Sequence, residues 1–194
     1  LRLLLESGKA PDWLRFITSH PKDVPEELID MLAEEPQLCS HLHLPVQHGS
    51  TEILRRMNRR YSREEYLRLA ARLRERVPDM ALSTDIMIGF PGESREDFEA
   101  TLDLIREVRF DDAFTYYFNP REGTPAASFS GQLSQEVKLA RLGEVIELQR
   151  SIGDENRRRR LGETVWVLAE KISKKSATEL RGRTERNQMV VFPG

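Results

Sequence analysis

Apolar positions along the chain fall into short continuous runs alternating with stretches of helical spacing, a pattern that predicts strand, loop and helix in succession. The first run, Leu14 to Thr18, predicts a strand entering a turn at Ser19-His20-Pro21. A helix is expected from about Pro25, capped by Asp23 or a neighbour, with Leu28, Ile29 and Leu32 on one face. A second strand, Leu42 to Val46, ends in the loop Gln47-His48-Gly49-Ser50, which opens a short helix over TEILRRMNRR. Ser62 and Glu65 have capping-box spacing for a longer helix that buries Tyr66, Leu69, Ala70 and Leu73. The third strand, Ala81 to Ile88, is apolar except for Ser83, Thr84 and Asp85 and ends at Gly89-Phe90-Pro91-Gly92. Ser94 with Asp97 caps a helix carrying Phe98, Leu102, Ile105 and Val108. A fourth strand, Ala113 to Phe118, runs into NPREGTPAASFSGQL, and Ser134 starts a long helix reaching Leu148 and continuing towards an arginine run.

Recurring strand–loop–helix units imply parallel strands joined by helical crossovers. No Gly-x-Gly-x-x-Gly follows any strand, which argues against a dinucleotide site of the Rossmann type. After Gly162 the texture changes: TVWVLAEKI alternates, KKSATELRGRTERN is polar, and MVVF follows. This predicts a small antiparallel β-domain, of which two or three strands fit before Gly194, so that it reads as truncated. Residues 1–131, 132–160 and 161–194 are the expected divisions.

Length and composition allow one substantial core, or one core with a small appendage. No apolar run approaches the roughly 20 residues that span a bilayer, and the N-terminal LRLLLESGKAPDW lacks the features of a signal peptide. A single cysteine, Cys39, excludes an intramolecular disulfide and fits a reducing, cytoplasmic setting. The net charge of −2 conceals a split. Residues 1–149 hold 19 Lys/Arg against 26 Asp/Glu, and residues 150–194 hold 11 against 6, so one end is suited to a polyanion.

In parallel α/β folds ligands bind at the C-terminal ends of the strands. SHP (19–21), PVQHGS (45–50), GFPGES (89–94) and NPREGTPA (119–126) all belong to that edge, and their Gly, Pro and uncharged polar residues suit close backbone approach to a ligand. Asp85 interrupts an apolar strand, so it needs a partner or a polar cavity. His20, His41, His43 and His48 lack zinc-site spacing, and no metal ligands are assigned. One thiol cannot hold an iron–sulfur cluster. Arg157 to Arg160, and Lys174, Lys175, Arg181, Arg183 and Arg186 with Asn187, are able to neutralise phosphates; the second set is the more persuasive because it lies on loops between strands.

These loops resemble those of the methylthiotransferase branch of the radical-SAM superfamily, the MiaB-type enzymes. The matching stretches are FITSHPKDVPEELIDMLAE (16–34), HLHLPVQHGSTEILRRMNRRYSREEYL (41–67), TDIMIGFPGESREDFEATLDLI (84–105), FNPREGTPAA (118–127), LGEVIELQ (142–149) and the TRAM-like LRGRTERNQMVVFPG (180–194). The resemblance implies an incomplete parallel β/α barrel of radical-SAM type, a long connecting helix and part of an antiparallel TRAM domain. It implies a parent that uses S-adenosyl-L-methionine and two [4Fe–4S] clusters to add a methylthio group to isopentenylated adenosine beside the anticodon of tRNA. In such a parent a 5′-deoxyadenosyl radical takes hydrogen from an adenine C–H. The cluster cysteines are absent from these residues, so no catalytic residue is assigned and the isolated chain is expected to be inactive.

By the same resemblance, Gln47, Ser50, Asp85, Gly89, Phe118 and Asn119 are cofactor-side positions. Arg121 lies near the substrate mouth, and Lys174, Lys175, Arg181, Arg183, Arg186 and Asn187 hold the anticodon stem-loop. His48 stands where the tRNA branch usually has serine and is similar to the Q-H pair of relatives that modify a small-subunit ribosomal protein. That branch, and the branch acting on threonylcarbamoyl-adenosine, remain alternatives. So do a non-catalytic RNA-binding module and an α/β-barrel enzyme using Asp85 and a histidine as acid and base. An open barrel would also expose the edge of Leu14 to Thr18, through which copies of the chain could associate.

Overall fold

The computed structural model describes residues 1–18, 20–77 and 79–194. Ser19 of the expected first turn lies outside the described residues. A parallel sheet of order β1-β2-β3 is built from β1 (His41–His43), β2 (Ala81–Ile88) and β3 (Asp112–Tyr117). The helices are α1 (Arg2–Glu6), α2 (Glu26–Glu34), α3 (Thr51–Arg56), α4 (Arg63–Arg76), α5 (Arg95–Val108) and α6 (Gln135–Arg159). An antiparallel sheet of β4 (Val167–Ile172), β5 (Glu179–Thr184) and β6 (Met189–Pro193) follows.

Alternation decides which face of the parallel sheet is covered. Leu42 and Leu44 of the β1 segment and Leu82, Ile86 and Ile88 of β2 are fully buried in one core with Ile29, Tyr66, Leu73, Phe98, Leu104 and Ile105 of the helices. The opposite face carries His43, Asp85, Phe114 and Tyr116, and the two rings are about half exposed. Both expected capping boxes form, Ser62 with Glu65 and Ser94 with Asp97. Ser134 caps α6, which continues well past Leu148 into the arginine run.

Three local expectations are corrected. Leu14 to Thr18 makes only isolated parallel bridges, Leu14 to Leu38 and Ile17 to His43. Two bridged residues three apart face partners five apart, and a turn in which the His41 N–H bonds the Cys39 carbonyl takes up the excess, so no continuous ladder can form. The strand expected at Leu42 to Val46 is assigned at His41–His43, because the Val46 N–H, the next donor due to face β2, leaves the backbone ladder for a side chain. Beyond it the Thr84 hydroxyl receives the Val46 N–H at 2.9 Å and donates to the Leu44 carbonyl. Finally, Asp23 does not cap α2: Pro25 occupies the N-cap with no side-chain bond, while His20 caps a 3-10 turn at Pro21–Asp23.

Candidate functional site

A cleft of about 780 Å³ opens at the C-terminal ends of the parallel strands, lined among others by Gln47, Met57, Phe90, Phe118, Asn119 and Arg121. Four of the expected residues therefore meet there: Gln47, Phe118, Asn119 and Arg121. Gln47 enters it through a rare conformation, φ 68°, while its N–H bonds the Asp85 carbonyl at 2.8 Å and its carbonyl receives the Met87 N–H at 2.7 Å. A left-handed residue held by two ladder bonds is backbone strain that the surrounding structure imposes. Phe90 and Phe118 pack edge to face, 5.2 Å between centroids, and Phe129 also meets Phe90 edge to face. Arg56 lies over Phe129, giving the aromatic wall a cationic rim.

Ser50, Gly89 and Asp85 are adjacent but not on the cleft wall. The Ser50 hydroxyl donates to Asp97 Oδ1 at 2.5 Å and caps α3 by accepting from Ile53 N–H, so both its functions are local. Gly89, at φ 71°, gives its N–H to Glu93 Oε2 at 2.5 Å, and the stem of Lys138 occupies the space a side chain would need. Asp85 lies on the open face of β2, its Oδ2 3.4 Å from His43 Nε2. The other nitrogen of His43 meets Ser83 Oγ at 3.0 Å, and Ser83 also meets His41 Nε2 at 3.0 Å. Burial, reinforced by His43, pushes His41 down to about 4. Asp85 and His43 thus make an ion-pair contact on the open face of the sheet, and neither lines the cleft, so the pair in a pocket that an acid–base reading requires is not what the structure offers.

Sequence reasoning did not find the network under the cleft. His48 Nε2 lies 3.0 Å from Glu93 Oε2 with both side chains fully buried, and Arg141 of α6 closes on Glu93 Oε1. Burial alone would raise the Glu93 carboxyl, but the hydrogen bonds from His48 and Arg141, with the Arg141 charge, outweigh it and hold it below the ordinary range. Thr101 contacts the His48 ring and accepts the Gly49 N–H at 3.0 Å. Gly49 must be glycine, because a Cβ there would collide with the Ala100 carbonyl of α5. The sequence signals were Glu93 inside an otherwise uncharged loop and the unusual His48; their pairing across 45 residues was not readable.

The cationic residues of the second sheet do not all lie on loops as expected: Arg181 and Arg183 are inside β5, where the ELRGRT run pairs with both neighbouring strands. Lys174, Lys175 and Arg181 form no ion pair among the described residues, and Arg181 shares one face of β5 with Arg183. Arg183 is partly occupied, donating to the Asn187 carbonyl at 2.9 Å and lying 3.6 Å from Glu170. Arg186 is engaged at the base of the barrel, with Asp79 and Asp111. Asn187 turns the chain at φ 63°.

The fold and cleft define a class. Residues 2–105 match the radical SAM superfamily, and the chain belongs to it. Its curated relatives narrow the comparison: it is 52% identical over 182 residues to the tRNA-2-methylthio-N(6)-dimethylallyladenosine synthase of Treponema pallidum (strain Nichols), covering 94% of this chain and 40% of that protein. The enzyme of the same name from Moorella thermoacetica is 46% identical over 194 residues, 98% of this chain and 44% of the relative. The chain thus spans about 40% of the length of these relatives. Among solved structures, Escherichia coli coproporphyrinogen III oxidase, a radical SAM enzyme, superposes with a TM-score of 0.57 at 23% identity over 69% of this chain and 31% of that one. Elp3 from Methanocaldococcus infernus gives 0.53 at 14%, over 86% and 51%. Both likenesses concern the fold.

Proposed function

We propose that this chain forms the cleft-bearing and RNA-holding part of an enzyme that adds a methylthio group to isopentenylated adenosine beside the anticodon of tRNA. The observation that carries this reading is the 45–52% identity to synthases of that name along nearly the whole chain. Residues 1–131 would be the partial barrel, 132–160 the connecting helix and 161–194 a TRAM-type module, working in the cytoplasm. Among the described residues no helix is long and apolar enough to cross a membrane.

The residues fit S-adenosyl-L-methionine: a cleft of about 780 Å³ offers aromatic faces at Phe90 and Phe118 and polar groups at Gln47 and Asn119. The cofactor supplies radical chemistry when reductively cleaved at a cluster. Gln47, Phe118 and Asn119 would orient it directly, and Ser50 and Gly89 would act through the loops they hold. Asp85 offers an acceptor-only group on the adjoining face, and Arg121 would meet the RNA at the mouth. The target base would have to leave its stack, which costs a few kcal/mol. Lys174, Lys175, Arg181 and Arg183 would supply the phosphate contacts. A cluster does not fit these residues, because Cys39 is one buried thiol and a cluster needs three or four. The two clusters would belong to the longer parent, and the isolated chain would not turn over.

Reconstitution with iron and sulfide tests this directly. The expected outcome is no broad visible absorption and no cleavage of S-adenosyl-L-methionine by the chain alone, with binding of an anticodon stem-loop that weakens steeply with salt. Cluster assembly and cofactor cleavage by these 194 residues would overturn the assignment of inactivity, and salt-independent RNA affinity would overturn the phosphate contacts.

A further inference from the structure

At the end of the sheet opposite the cleft lies a polar hollow of about 400 Å³, walled by arginines and carboxylates from separate segments of the chain. Arg186, in the turn between β5 and β6, reaches across it. Its Nη2 donates to Asp111 Oδ1 at 2.7 Å, and its Nη1 donates to Asp79 Oδ1 at 2.9 Å and to the Asp79 carbonyl. The Arg186 side chain is 13% exposed and that of Asp111 is 9% exposed, so this pair is largely out of solvent. Asp111 is itself held, because its Oδ2 accepts the Leu82 N–H of β2 at 3.0 Å. Arg160, just past α6, donates to the same Asp79 oxygen at 2.7 Å. Arg15 donates to the Thr184 carbonyl at the end of β5 at 2.8 Å. One corner of the antiparallel sheet is therefore gripped by the first segment and by the connections that enter β2 and β3, while the end of α6 steadies Asp79.

We propose that Arg186 is a positioning residue, which fixes the angle at which the antiparallel sheet is presented beside the barrel and does not contact RNA. A planar guanidinium with both terminal nitrogens committed to carboxylates, and largely covered, would have to abandon that pair to reach a phosphate. Arg181, Lys174 and Lys175 make no such commitment. The consequence for RNA rests on the proposed function: a cationic sheet and a cleft that grip one RNA must be held at a set separation. The clamp itself does not depend on that reading.

The test uses the whole chain with Arg186→Gln, Asp79→Asn and Arg181→Gln. Small-angle scattering and the salt dependence of binding to an anticodon stem-loop RNA are measured for each. Asp79 is well exposed, so its substitution keeps the clamp testable if Arg186→Gln fails to fold. Loss of the clamp is expected to lengthen the maximum dimension and to lower RNA affinity equally at every salt concentration, leaving the slope of log affinity against log salt unchanged. Arg181→Gln should reduce that slope by roughly 0.7 to 1 and leave the scattering as it was. A reduced slope for Arg186→Gln overturns the proposal, as does an unchanged scattering curve in the clamp variants. Should no variant bind RNA, the functional reading fails, and scattering alone decides the clamp.

Discussion

His48 Nε2 donates to Glu93 Oε2 across 3.0 Å, with both side chains fully buried. The Ser50 N–H points at His48 Nδ1, 3.0 Å away, so Nδ1 must hold the lone pair and Nε2 the proton. The ring thus bridges the Ser50 N–H and the Glu93 carboxylate, whose other oxygen closes on Arg141. Three parts of the molecule, the loop after β1, the loop after β2 and helix α6, are tied at that one carboxylate.

Replacing His48 by Ala removes a donor from a buried carboxylate and leaves a void. The cost should be about 2–4 kcal/mol, read as a fall in the urea midpoint with little change in slope. Loss below about 0.5 kcal/mol would mean that Arg141 and the Gly89 N–H satisfy Glu93 unaided.

Two buried groups give separable acid windows. The folded His41 lies at about 4 against an ordinary 6.5, so between those values the unfolded chain binds more protons. Its contribution is complete above pH 6.5 and lost as pH falls to about 4, a change of roughly 3 kcal/mol or slightly more. Glu93 is held below its ordinary 4.5, so its contribution is present above that value and lost as pH falls through the lower folded value. Stability against pH for His41→Gln should be flatter between 6.5 and 4 while keeping the steeper loss below. A curve parallel to that of the parent would show that His41 is not the group responsible.

The two loop glycines should respond unequally to Ala. At Gly49 the added methyl meets the backbone of α5, which cannot retreat, and a loss above about 2 kcal/mol is expected. At Gly89 the added methyl meets Cγ, near the root of the buried Lys138 side chain rather than the backbone, and the φ of 71° adds about 1 kcal/mol of strain. Thermal unfolding of the pair checks the order.

Self-association through the segment Leu14 to Thr18 is the fourth expectation. Ile17 is 75% exposed beside a backbone that makes only scattered bridges, which leaves pairing groups available. Sedimentation should show a concentration-dependent dimer that Ile17→Lys abolishes; a monomer throughout would remove this reading.

Features set within one turn of chain were legible in the residues. The capping boxes at Ser62–Glu65 and Ser94–Asp97 follow from a three-residue spacing, and β2 follows from an apolar run long enough to be buried. The loops that carry Gln47 and Asn119 were reachable because ligands collect where parallel strands end, and the family resemblance singled out the two residues. Arg181 and Arg186, by contrast, are indistinguishable as letters. Only the docking of the antiparallel sheet leaves one without an ion pair among the described residues and places the other between Asp79 and Asp111.

The sequence by itself determined three of the four expected crossover strands, the starts of α3 to α6, and which strand-end loops could face a ligand. Tertiary structure decided the partners: Glu93 for His48, Asp85 and Ser83 for His43, and Asp111 for Arg186. The reason is range. Backbone propensity and capping act over three or four residues, whereas a buried charge is stabilised by whichever group the fold delivers to it, from 40 to 75 residues away in these cases.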